Sequence, residues 1–153
     1  MNPAASVRGQ RRAMKILIVD DDFYSRTILT DLLSGHGEVQ ISINGLEAVK
    51  AFRYALKNGA PYDLVFMDIL MPEMDGMNAL ERIRCIERQR GGSPASWTTI
   101  VVLSTVDEVK TIMDAFRKGE IAAYLTKPLD VGRIESLLND IATSRMLRRR
   151  QLF

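Results

Sequence analysis

Residues 15–22 read KILIVDDD, a short apolar run rich in β-branched side chains that stops on three consecutive aspartates. A run this short and this uniformly apolar suits a strand buried on both faces, the kind found in parallel sheets. The same pattern returns at residues 63–68 (DLVFMD), 99–103 (TIVVL) and, more briefly, 122–125 (AAYL). Residues 38–43 alternate instead, with Val39, Ile41 and Ile43 on one side, and predict a half-buried strand. Between these runs lie helical patterns. The first carries Ile28, Leu29, Leu32 and Leu33 on one stripe and is stopped by Gly35 and Gly37. The second, residues 46–58, turns Ala48, Val49, Phe52, Ala55 and Leu56 toward a core and closes at Gly59 and Pro61. A third covers 77–90, with Leu80 and Ile83 inward. A fourth covers 107–118, with Val109, Ile112, Met113 and Phe116 on one side. A fifth starts at Val131 and runs beyond Arg145. Residues 91–98 (GGSPASWT) read as loop.

Five strands alternating with five helices predict an α/β fold, a parallel sheet covered on both faces through right-handed crossovers. The chain of 153 residues is 46% hydrophobic and 26% charged, a globular composition long enough for one buried core. No apolar run reaches the roughly 20 residues of a membrane-spanning helix. Residues 1–14 are polar and basic, unlike a secretory signal. Cys85 is the one cysteine, which fits a reducing, cytoplasmic setting. One histidine, His36, and one cysteine do not suggest a zinc site of His and Cys ligands. Seven of the 21 cations are arginines in the two tails, which carry no acid, so the +2 total leaves residues 13–144 at −5. An acidic body does not suggest direct nucleic-acid binding, and the basic ends read as solvated.

In such sheets the functional site lies at the carboxyl ends of the strands. There the first strand ends in Asp20-Asp21-Asp22, the third in Asp68, the fourth in Ser104 and the fifth in Lys127. Converging carboxylates raise one another's pKa unless a cation sits among them. Mg2+, a hard ion taking oxygen ligands, answers that need, with Asp21, Asp68 and Asp20 (partly through water) as the donors. A carboxylate beside such an ion can accept a phosphoryl group, with Lys127 and the Ser104 hydroxyl covering further oxygens.

Four pieces in this order, ILIVDDD, DLVFMDILMPEMDG, VVLST and YLTKP, resemble the receiver domain of bacterial two-component response regulators, the family of the chemotaxis regulator. The resemblance runs from about Lys15 to about Ile141. It implies a flavodoxin-like, doubly wound five-stranded sheet of order 2-1-3-4-5 with five helices. It also implies a phosphorylation-dependent switch that catalyses no more than its own phosphorylation and dephosphorylation. By the same resemblance Asp68 is the phosphoacceptor, and Asp20, Asp21, Asp68 and the backbone carbonyl of Leu70 hold Mg2+. Lys127 and Ser104 serve the phosphoryl group, Ser104 and Tyr124 switch, and the Lys127–Pro128 bond is cis. The implied donor is a sensor histidine kinase or phosphotransfer protein. The implied output is a partner or domain reading the face of helix four, strand five and helix five, through which the family also dimerises. The implied domain is 14–144, preceded by an extension or expression remnant at 1–13. A basic helical tail at 145–153 is then either the start of a linker to an output domain or the end of a single-domain regulator.

The chain departs from the family pattern at three places. Ser104 replaces the commoner Thr but keeps the hydroxyl. Thr105 is bulkier than the usual Ala. Leu70 and Val106, flanking the phosphate position, are apolar and cannot orient an attacking water, which implies a long-lived phosphate. An alternative is a haloacid-dehalogenase-like phosphatase with Asp20 and Asp22 as its paired acids, but that leaves Asp68 and Lys127-Pro128 unexplained. A second is a receiver kept as an interaction module without phosphorylation. A flavin-binding flavodoxin is disfavoured by acids where a neutral phosphate loop belongs. Asp22 and Asp75 read as helix caps. His36 reads as a loop residue, Cys85 as an inert helix residue, and Met67, Met71 and Met74 as core and loop filler. Trp97 reads as a loop side chain covering an edge.

Overall fold

A computed structural model describes residues 13–71, 73–105, 109–118 and 120–151. The strands are β1 (Met14–Val19), β2 (Gly37–Ser42), β3 (Leu64–Asp68), β4 (Thr99–Ser104) and β5 (Ala123–Thr126). They form one parallel sheet in the order β2-β1-β3-β4-β5. Between them run α1 (Phe23–Leu33), α2 (Gly45–Lys57), α3 (Gly76–Arg90) and α4 (Val109–Arg117), and α5 (Val131–Gln151) closes the order. This is the parallel α/β sheet that the alternation of patterns predicts, in the flavodoxin-like order that the resemblance implies.

Each central strand is apolar on both faces because each face meets helices. Leu17, Val19, Val65, Met67, Ile100 and Val102 pack toward α2, α3 and α4, against Phe52, Leu80, Ile83 and Ile112. Ile16, Ile18, Leu64, Phe66, Val101 and Leu103 pack toward α1 and α5, against Leu29, Leu33, Ile134 and Leu138. A side chain such as Phe52, fully buried, contributes about 1.5–3 kcal/mol through the water its surface no longer meets.

The helices start where short polar side chains can take their free amides. Asp22 accepts from the amides of Tyr24 and Ser25, Asn44 from that of Glu47, and Asp75 from that of Asn78. Both aspartates read as caps are caps. Between Trp97 and β4 the loop is short, and a single 3-10 turn, Pro94–Ser96, interrupts the rest of residues 91–98.

Two stripes differ from their patterns. Ile41 and Ile43 are 49% and 48% exposed, although alternation predicts them inward. β2 is an edge strand of the sheet, and these two side chains stay open to solvent although Ser42 between them is buried. In α4 the buried residues include Ile112 and Ala115, whereas Phe116 is exposed and lines a groove of about 500 Å³ with Tyr124, Leu137 and Ile141. Helical spacing fixed the side of α4 correctly but not which residue at its margin the sheet would reach.

Candidate functional site: an acidic pocket at the strand ends

Register alone brings the site together. Val19 of β1 lies beside Met67 of β3, so Asp20 and Asp68, one residue further on, emerge side by side. Asp68 lies beside Leu103 of β4, and Ser104 lies beside Thr126 of β5. The amide of Lys127 donates to the Ser104 carbonyl at 2.7 Å, which carries the pairing one residue past the strand and aims the lysine back over the pocket.

Its ammonium lies 2.9 Å from Asp20 Oδ2 and 3.3 Å from Asp68 Oδ2. Asp20 is fully buried, accepts from the amide of Asp22 at 2.9 Å, and has Arg26 on its backbone carbonyl at 3.0 Å. One oxygen from each of Asp20, Asp21 and Asp68 lies within 4.8 Å of the others. Asp21 is exposed, which leaves one side of the cluster open to water and to a ligand.

The electrostatics are those of an under-neutralised cluster. The Asp68 carboxyl is pushed up to about 7, first by burial and then by the charge of Asp20, with Lys127 opposing. Burial works against the Lys127 charge, yet its hydrogen bond to Asp20 and the two carboxylates outweigh this and hold its pKa above the ordinary value. Ser25 donates its hydroxyl and amide to the Asp22 carboxylate, and these hydrogen bonds hold its pKa low. Asp22 is therefore committed to the cap, which removes the second acid of the phosphatase alternative.

The donor set fits a hard divalent cation. Three carboxylate oxygens converge, one lysine cannot balance them, and oxygen donors with open access are what Mg2+ prefers. Ser104 is buried, and its hydroxyl has no hydrogen-bond partner among the described residues. It follows Leu103, the β4 partner of Asp68, at the same end of the sheet as the acids, and a buried hydroxyl there can donate to a ligand. Leu70 follows Asp68 by two residues, with its side chain 61% exposed. Tyr124 does not join the pocket. It pairs with Val102, is half-buried, and lies against the core on the α4 side. Thr105 is exposed at the pocket end of β4. Val106 lies outside the described residues. The Lys127–Pro128 bond is cis.

Two features of the surroundings escaped the sequence. Gly76 starts α3 where a Cβ would sit 2.0 Å from the Asp68 carbonyl oxygen, so no other residue fits there without movement. The Asp75-Gly76 pair signalled the turn but not this close approach. Arg84 and Glu87 of α3 form a buried ion pair at 2.6 Å. Their spacing of three residues on a helix carries no sign of that burial.

Comparison with known proteins now adds to the geometry. A family profile described as "Response regulator receiver domain" matches residues 16–139. The chain belongs to this receiver family. It is 34% identical over 129 residues to the chemotaxis protein CheY of Bacillus subtilis, covering 83% of this chain and 96% of that protein. It is also 34% identical over 126 residues to the transcriptional regulatory protein ZraR of Klebsiella oxytoca, covering 82% of this chain. The chain spans 25% of the length of that regulator. Among solved structures it is similar to the signal receiver domain of an HD domain-containing protein from Pseudomonas fluorescens. The TM-score is 0.69 at 27% identity, over 91% of this chain and 93% of that one. Phosphorylation-dependent switching is the known role of receiver domains, which are signalling domains that pair with histidine kinases and phosphotransfer proteins. Among the described residues, no helix is long and apolar enough to cross a membrane.

Proposed function

We propose that Asp68 is the phosphoacceptor of this receiver. The observation that carries the reading is the convergence of Asp20, Asp21 and Asp68 with Lys127 at the strand ends. Asp20, Asp21, Asp68 and the Leu70 carbonyl are the groups that would hold Mg2+. When bound, the ion supplies positive charge against the oxygens of the phosphoryl group and favours the ionised form of Asp68. That second effect matters, because a carboxyl held near 7 is only partly available as a nucleophile at neutral pH.

In the transfer, an Asp68 carboxylate oxygen bonds to phosphorus as the bond to the donor nitrogen breaks, and the donor imidazole leaves with the electron pair. Lys127 exchanges part of its contact with Asp68 for a phosphoryl oxygen. The Ser104 hydroxyl, without a partner among the described residues, donates to another. Drawing Ser104 inward opens space toward β5, and Tyr124 turns into it. The face of α4, β5 and α5 thereby changes, a local charge event read at a distance.

The donor is a sensor histidine kinase or a phosphotransfer protein. The reader is an output partner, an output domain, or a second copy of the chain joined through the same face. The acidic body touches no nucleic acid directly and no membrane, and the setting is cytoplasmic. The switch unit is 14–144; residues 1–12, 152 and 153 at its two ends lie outside the described residues.

Incubation with acetyl phosphate tests the reading by intact mass. One phosphoryl adduct is expected with Mg2+, none after chelation, and none in Asp68→Asn. An adduct that survives in Asp68→Asn would refute it.

A further inference from the structure

The buried pair on α3 reaches further than its own helix. Arg84 donates through Nε and Nη2 to the Glu120 carbonyl at 2.9 and 2.6 Å, and through Nη1 to the Thr98 carbonyl at 2.9 Å. Glu87 accepts from the Thr98 amide at 2.8 Å and from Arg84 at 2.6 Å. The Trp97 ring covers the guanidinium at 5.6 Å. One ion pair thus holds the entry to β4 and the connection from α4 to β5.

Glu120 itself is tied back into α4, its amide donating to the Ala115 carbonyl at 3.0 Å. Two residues on, the Ala122 amide donates to the Ile100 carbonyl at 2.9 Å, and Ile121 between them is buried. The carboxyl end of α4 is therefore tied to α3, to β4 and to its own last turn. Its amino end follows β4, the strand that ends on Ser104 at the pocket.

We propose that the Arg84–Glu87 pair is the fixed anchor of the switch. The change caused by phosphorylation enters α4 at its amino end and stops at Glu120, so that α4 pivots about its carboxyl end instead of sliding as a whole. The guanidinium is buried, as are its contacts with Thr98 and Glu87, while those with the Glu120 carbonyl are part-buried, so letting either buried partner go leaves a buried polar group unpaired. The loop at 91–98 gains a role by the same argument, since it delivers Trp97 and Thr98 onto the pair.

The inference rests on the phosphoacceptor reading, so the test measures both in the same samples. The full chain with Mg2+ is followed by amide hydrogen exchange, with and without acetyl phosphate, while intact mass reports the adduct. With the adduct present, exchange in residues 105–114 is expected to change by about tenfold or more, and in residues 115–122 by less than about twofold. The combined Arg84→Met and Glu87→Leu variant, which replaces the pair by apolar side chains of similar size, should take up the phosphoryl group as before. Its residues 115–122 should then respond by about tenfold. An equal response of both segments in the unaltered protein would overturn the anchor alone, whether or not the variant folds. A variant whose residues 115–122 stay indifferent would do the same. No adduct in the unaltered protein would overturn the phosphoacceptor reading and the anchor with it.

Discussion

Asp68 sits in a pocket that opposes its own charge. Its carboxyl is raised to about 7 by burial and by Asp20, whereas an unfolded aspartate titrates near 4. Between these values the folded protein holds a proton that the unfolded chain has lost. Stability therefore falls as pH rises through that window, and the loss is complete above about 7. Without Mg2+, denaturant unfolding between about pH 4 and 8 should show Asp68→Asn gaining on the unaltered protein as pH rises. A gap that does not vary with pH would contradict this origin of the shift. Leu70 makes a second prediction at this scale. Its exposed side chain offers no polar atom to hold a water against the phosphoryl group, so the phosphorylated form should be long-lived. Leu70→Asn should shorten that lifetime, on the order of tenfold, well below what a full general base supplies. Loss of the adduct followed by intact mass would show it, and an unchanged lifetime would remove Leu70 from the account. Asp20, Asp21, Asp68, Ser104 and Lys127 were all legible, because each follows an apolar run and the topology gathers such positions. Arg26 on the Asp20 carbonyl was not, because the contact joins a helix to the strand end before it.

At the scale of elements, α3 carries what the sequence concealed. Arg84 and Glu87 are both buried, with side-chain exposures of 5% and 7%. Removing one partner leaves the other charged and unpaired, so Arg84→Met alone should cost about 3–5 kcal/mol in denaturant unfolding. A cost below about 1 kcal/mol would fit an exposed pair and contradict the burial. The spacing of Arg84 and Glu87 is that of any surface pair on a helix. Their burial depends on Thr98 and Glu120, residues distant in sequence, and no local pattern announces it. Ile41 and Phe116 teach the converse. Periodicity tells which side of an element faces the sheet, while the amount of cover at a margin is decided by neighbouring elements. The central strands were readable because helices cover both of their faces, leaving no margin to misjudge.

The whole molecule is a sheet whose strand order places acids from β1 and β3 next to a lysine from β5. The alternation of apolar runs and helical stripes predicted a parallel sheet covered on both faces, the family resemblance implied the order 2-1-3-4-5, and the sheet has that order. The acidic body between two basic tails remains a feature of charge and not of fold. The central claim is that this architecture exists to put a phosphoryl group on one carboxylate. Borohydride reduces an acyl phosphate to an alcohol and so converts a phosphorylated aspartate to homoserine, which peptide mass mapping locates. After acetyl phosphate and Mg2+, the account predicts homoserine at position 68 and at no other. Homoserine at position 20, or at neither position while the adduct is present, would contradict it.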